Sequence, residues 1–153
     1  MNQILISEDN FDKARKLIKE NRDKKIIFSS DDDELNRKIL EKEEINILLL
    51  NQEGRKDFQK QRNSGFNQVL AKLAKKKDIT IGINLDEIIN SEEKQKAQIL
   101  ARIVQNIKIC NKNKLKMKFI SKIQKRNIFD LKSLSLVLGM PTGMTSDFAE
   151  QSP

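Results

Sequence analysis

The stretch INILLLNQEGRKDFQKQRNSGFNQVLAKLAKKKDITIGINL (45–85) carries the pattern that decides the fold. Its first six residues are a continuous apolar run of buried-strand length. A polar loop follows from Asn51 to Asn63, and Ser64 is placed to cap a helix. Phe66, Val69, Leu70, Leu73 and Ala74 then recur at helical spacing, with Lys72, Lys75 and Lys76 mostly away from that stripe. The stretch closes with Ile79, Ile81, Ile83 and Leu85 alternating with Thr80, Gly82 and Asn84, the period of a strand. Strand, loop, helix and strand make one crossover unit. From Gly54 to Lys77 the unit holds eight Lys or Arg against a single acid, Asp57, a net +7 in a chain whose total is +8.

The same rhythm continues on both sides. Toward the N-terminus, QILIS (3–7) is a short apolar run, and Asn10 caps a helix that aligns Phe11, Ala14, Leu17 and Ile18. KKIIFSS (24–30) reads as a strand, and Ser30 or Asp31 caps DDDELNRKILEKE, with acids in its first turn. Toward the C-terminus, Asp86–Asn90 reads as a turn. A long helix over roughly 92–114 follows, with Ala97, Leu100, Ile103, Val104 and Ile107 inward. MKFIS (117–121) is the next strand, and a helix covering Phe129, Leu131, Leu134, Leu136, Val137 and Leu138 stops at Gly139 and Pro141. Residues 141–153 read as a short tail of one α/β domain, 1–153. Five strand–helix repeats argue for mostly parallel strands with helices on the sheet's faces. Five strands are too few for an eight-stranded barrel, which needs about 200 residues, so the sheet is either open or a cut-down barrel.

Composition excludes several chemistries. The chain has no histidine, which removes His-ligated metal sites, Ser-His or Cys-His pairs and imidazole general bases. It has no Trp or Tyr, so any stacking on nucleobases falls to seven Phe or to arginine planes, and a stacking platform of the single-strand-binding kind is not expected. A lone cysteine, Cys110, forms no internal disulfide, which fits a cytoplasmic protein, and no signal sequence or membrane-length apolar run is expected. The GxxxxGK[ST] phosphate loop is absent, and Cys110 reads as a small buried hydrophobe. The acid pairs Asp86–Glu87 and Glu92–Glu93 are explained by helix starts. No catalytic or metal-binding constellation emerges.

What remains is positive charge. A second basic block, 108–126, sums to +8, and the rest of the chain is mildly acidic. Such a distribution points to a phosphate-bearing partner. INILLL runs directly into the loop that opens the first block and KFIS runs directly into KIQKRN (122–127), and in a parallel sheet the strand C-termini share one rim, where ligands bind. The expected contacts are Arg55, Lys56, Lys60, Arg62, Lys122, Lys125 and Arg126, with Asn36, Arg37 and Asn67 as hydrogen-bonding candidates. Ser64 and Gly65 would offer a helix N-terminus to the same rim.

Four segments in order carry a family likeness: LNRKILEKEEINILLLN (35–51), RKDFQKQRNSGFNQVLAKLAKKKDITIGINLDEIIN (55–90), ARIVQNIKICNKNKLKMKFIS (101–121) and IFDLKSLSLVLGM (128–140). Arg62, Ser64, Gly65, Phe66, Val69, Leu70, Lys72, Leu73 and Ala74 stand in an R-x-S-G-L-x-H-V-L-x-K-L-A run, followed by Ser121, Phe129–Lys132 and Leu138–Met140. The chain resembles the archaeal-type ribonuclease P protein component three family, relatives of the eukaryotic thirty-kilodalton subunit. The resemblance implies a TIM-barrel-like fold related to PHP-type phosphoesterases, reduced here by an opening strand–helix portion and the final helix. It also implies a role in 5′ maturation of precursor tRNA, in which a magnesium-dependent RNA performs the catalysis. The protein then pairs with the small ferredoxin-like component two and has no catalytic residue or cofactor of its own. One departure stands out: Gln68 occupies the family's histidine position. The rival readings are a stand-alone PHP-like metal-dependent phosphoesterase, which the lack of histidine disfavours, and a general structured-RNA-binding module.

Overall fold

The computed structural model describes residues 2–123 and 126–145. Five strands alternate with helices: β1 (Gln3–Ser7), α1 (Phe11–Glu20), β2 (Lys25–Ser29), α2 (Asp33–Lys42), β3 (Ile47–Leu50), α3 (Gln68–Lys76), β4 (Thr80–Asn84), α4 (Leu85–Asn90), α5 (Glu93–Lys112), β5 (Met117–Ile120) and α6 (Ile128–Val137), then a 3-10 turn, Thr142–Thr145. All strand pairs are parallel and the spatial order is the sequence order, β1-β2-β3-β4-β5. No strand order reverses, as it would in a doubly wound sheet. Every crossover with the usual right-handedness therefore lands on one face.

The side chains follow that rule. Ile6, Ile26, Phe28, Leu48, Leu50, Ile81, Ile83, Met117 and Phe119 point to the outer face. There they share one core with Ala14 and Ile18 of α1, Leu35 and Ile39 of α2, Leu70 and Ala74 of α3, and Ile99, Ile103 and Ile107 of α5. The alternate positions form a smaller cluster, Ile27, Ile47, Leu49 and Ile120 with Leu5 against it, to which no helix contributes. Gly82 sits within that inner face, where a Cβ would lie 3.1 Å from both Ile47 and Leu49 and 3.2 Å from Ile120. Helices outside and a small apolar face inside make this the wall of a barrel. The wall stays open: among the described residues β1 and β5 each pair on one side only. The reduced, TIM-barrel-like expectation is met.

Several local expectations change. The cap of α2 is Asp32, whose carboxylate accepts from the Glu34 and Leu35 amides, not Ser30 or Asp31. The segment expected as a turn at 86–90 is the short helix α4, capped by Asn84. The buried stripe of α5 is Ile99, Arg102, Ile103, Asn106, Ile107 and Cys110, and Ala97 is exposed. Val69 on α3 and Phe129, Leu136 and Val137 on α6 are also exposed, because each lies on the face turned from the sheet. Of the tail, Met144 packs into the core, and residues 146–153 lie outside the described residues.

Candidate nucleic-acid interface

The loop joining β3 to α3 is long and has no secondary structure of its own, yet it is held at many points. Its anchor is Arg102 of α5, which is 3% exposed. The guanidinium donates Nε to Asp57 Oδ1 (2.9 Å), Nη1 to the Gln52 carbonyl (3.0 Å) and Nη2 to the Arg55 carbonyl (2.8 Å). Asp57, the lone acid of the basic stretch, also accepts from the Asn63 amide and from Arg62 Nη1. The Arg102 hydrogen bond, with the Asn63 amide and both guanidinium charges, holds its carboxyl below the usual range against some desolvation. Arg55 makes a bidentate pair with Asp33 at 2.8 Å on both arms and donates Nε to the Asn51 carbonyl. Its side chain is only 9% exposed.

The loop's far end is pinned as tightly. The Ser64 carbonyl accepts from Gln52 Nε2 and Asn106 Nδ2, and Gln105 Nε2 donates to the Arg62 carbonyl and Ser64 Oγ. Gly65 has φ +75°, and a Cβ there would lie 2.5 Å from Arg55 Nη2, so both backbone and space call for glycine. This gives the Arg62–Ser64–Gly65 motif a physical role as the clasp of the loop. It also corrects the expected cap. The chain turns at Gly65, α3 begins at Gln68, and Asn67 caps it through Oδ1 to the Leu70 amide. Ser64 and Gly65 therefore present no helix N-terminus.

The mouth at the strand C-termini differs from the expected basic rim. A cleft of about 460 Å³ there is lined by Asp31, Asn51, Glu53, Asn84, Asp86, Glu87, Asn90 and Ser91. Asn84 donates to Asn51 Oδ1, and Asn51 donates to Ser29 Oγ, so side-chain amides knit the exits of β2, β3 and β4 together. The adjacent acids of α4 face opposite ways. Asp86 accepts from Ser121 Oγ and the Lys122 amide at the β5 exit, whereas Glu87 accepts from the Gln52 and Glu53 amides at the β3 exit. Burial pushes the Glu87 carboxyl up despite those two amides. Asp86 and Glu87 thus stand between the two basic exits, and the expected residues do not merge into one patch there. Among the described residues no group of His, Cys, Asp or Glu is placed to hold a metal. Burial drives the Cys110 thiol up to about 12, as suits an inert core residue.

The two basic blocks do meet, on the helical layer. Lys75 Nζ donates to the Lys114 carbonyl, and Asn113 Nδ2 donates to Gln68 Oε1, which fastens α3 to the end of α5. Gln68, at the family's histidine position, therefore has a structural partner. Lys72, Lys75 and Lys76 on α3 and Lys108 and Lys112 on α5 are exposed.

Of the expected contacts, Lys56, Lys60, Arg62, Lys122 and Arg126 are exposed, and Arg37 is exposed beside Glu41. Lys125 lies outside the described residues. Two expectations are corrected. Asn36 is buried and donates to the Ser30 carbonyl, and Arg55 is enclosed by its Asp33 pair, so neither faces a ligand. Asn67 is exposed, but its Oδ1 is the helix cap. The residue missed from sequence is Arg102. Arg102 had a signal, a charged residue on the apolar stripe beside Ile99, Ile103 and Asn106.

No family model matches the chain. It is 28% identical over 111 residues to ribonuclease P protein component 3 of Methanococcus vannielii, covering 71% of this chain and 46% of that protein. The chain is similar to that component over those residues. It spans just under half of the relative's length. Its fold matches a chain in the cryo-EM structure of archaeal ribonuclease P with mature tRNA, with a TM-score of 0.77 and 23% identity, over 93% of this chain and 63% of that one. The five-stranded wall thus matches part of the fold of a chain in that particle.

Proposed function

We propose that the chain is an RNA-binding subunit of ribonuclease P, supporting a catalytic RNA in removing the 5′ leader from precursor tRNA. The observation that carries the reading is the meeting of two sequence-distant basic blocks across α3 and α5, in a chain similar to component 3. Arg62 lines a cleft with Gln68 and Val69 of α3 and Gln105 of α5, beside that surface, and Lys56 and Lys60 on the same loop, Lys122 at the β5 exit and Arg126 are exposed. In this reading the RNA holds the Mg2+ and performs the hydrolysis, component two is the protein partner, and the cytoplasm is the site of action. A stand-alone phosphoesterase of PHP type would call on histidine ligands, and the chain has none.

The test is cleavage of precursor tRNA by ribonuclease P RNA at low magnesium, with component two alone and with component two plus this protein. Stimulation only with both proteins is the expected result. Stimulation absent while the protein still binds structured RNA non-selectively would favour the general RNA-binding reading.

A further inference from the structure

A second cleft, of about 620 Å³, opens between the β3–α3 loop and helices α2 and α5. Its walls include Phe58, Val69, Arg37, Arg62, Gln61 and Asn67, with the acids Asp33 (paired to Arg55) and Glu34 on the α2 side. The volume falls in the range of small-ligand sites, about 300–1,000 Å³. Phe58 is 58% exposed and Val69 63% exposed. Isolated exposed hydrophobes are ordinary. Phe58, however, adjoins Asp57, which is fixed by Arg102, Arg62 and the Asn63 amide. Its ring is therefore presented from a held backbone, and ordering it against a ligand loses little entropy.

We infer that this cleft takes an unpaired RNA base stacked on Phe58, with the neighbouring phosphate beside Arg62. The inference deepens the RNA-binding reading and rests on it. Each wall supplies one part of nucleotide recognition. The ring offers a π-face, and Gln61 and the Asn67 Nδ2 offer groups for a base edge. Arg62, which gives Asp57 one donor at 3.3 Å, keeps its others for phosphate, while Arg37 is paired with Glu41. Lys56 and Lys60, exposed on the same loop, add positive potential for the flanking strand. A protein partner would need a contiguous apolar centre, and here the large exposed hydrophobes are just Phe58 and Val69 among polar walls. A duplex presents its bases stacked on one another, so the ring selects single-stranded or looped RNA.

The absence of Trp and Tyr makes the test direct, because Phe58→Trp places one fluorophore in the cleft. Three labelled probes are titrated at fixed salt: a short single-stranded RNA, the same strand with abasic sites, and a blunt duplex. Single-stranded RNA should quench the Phe58→Trp emission, and the abasic strand should not. Phe58→Ala should weaken single-strand binding about tenfold, the size of one lost base–aromatic stack. Abasic and duplex binding should change little, with the salt slope the same. Tryptophan emission unmoved at saturating RNA, or equal losses on all three probes, would overturn the inference. So would a Phe58→Ala protein that binds RNA normally and no longer pairs with component two. Salt-dependent binding of ribonuclease P RNA with Phe58 inert defeats the cleft alone. Failure to bind any RNA defeats the RNA-binding reading as well.

Discussion

The arginines around the β3–α3 loop and the lysines of the α3–α5 face carry the same charge and do different work. Arg55 and Arg102 turn inward, and their six donor contacts reach two carboxylates and three backbone carbonyls. Lys72, Lys76, Lys108 and Lys112 stay exposed. The guanidinium is planar and presents several donors in a fixed fork, so one buried side chain satisfies several loop groups at once. An ammonium is a compact, strongly hydrated point charge better left in water. Net charge alone therefore overstates the surface available to a phosphate backbone, because part of the +7 between Gly54 and Lys77 is internal scaffolding. Lys77 is the instructive exception. Its Nζ donates to the Leu40 and Glu41 carbonyls at the end of α2, where a helix C-terminus favours a cation.

Arg102 is the place to break the contrast. Arg102→Ala removes the donor of the Gln52 and Arg55 carbonyls and one of the three donors to Asp57, and the loss expected in urea unfolding is about 2–3 kcal/mol. Arg102→Lys should recover only a small part, since an ammonium cannot reproduce the three-way fork. Full recovery by lysine would show that charge, not geometry, holds the loop.

Sequence pattern made the strands and their parallel pairing legible because apolar runs and helical spacing report burial directly. It placed β3 and β4 within two residues of their ends and found the Asn10 cap. It misjudged the start of α3, because Ser64 and Asn67 are both good caps by type. The choice between them is made by Gly65 turning the chain against Arg55, a contact from a distant part of the loop. It also expected Arg55 at the rim, since nothing local says that Asp33, on another helix, will pair with it. The parallel character of the sheet was readable, but its strand order and the acids between the basic exits were not. Asp86 and Glu87 read as helix-start residues, and their tertiary bonds to two different strand exits appear only once β3 and β5 flank β4.

Asp57 offers a smaller and pH-dependent test of the same scaffold. Its folded carboxyl titrates below its ordinary value of 3.8, so its contribution is present above that value and is lost as pH falls through the lower one. Asp57→Asn removes the charge and keeps an acceptor oxygen. It should lower stability near neutrality by about 1.5 kcal/mol, the scale of a charge-assisted hydrogen bond. The stability difference between the two proteins should shrink below about pH 4 as the wild-type carboxyl protonates. The protection of the Asn63 amide relative to its intrinsic exchange, since its N–H rests on Asp57, should fall over the same interval. A difference that stayed constant with pH would place the Asp57 contribution in packing rather than charge.

The lysines should do the reverse, leaving stability alone and changing binding. Lys72→Gln, Lys108→Gln and Lys112→Gln lie on exposed positions, and each is expected to move the unfolding free energy by less than about 0.5 kcal/mol. Each that touches a phosphate should lower the slope of log affinity against log salt by roughly 0.7–0.9. The triple variant, measured on ribonuclease P RNA across a salt series, should therefore lose about two units of slope while unfolding at the wild-type urea midpoint. An unchanged slope would move the RNA footprint off α3 and α5 and onto the loop lysines Lys56 and Lys60, which the same series on Lys56→Gln and Lys60→Gln would then detect. A lowered midpoint with an unchanged slope would instead make the lysines part of the scaffold, and the division between inward arginines and outward lysines would fail.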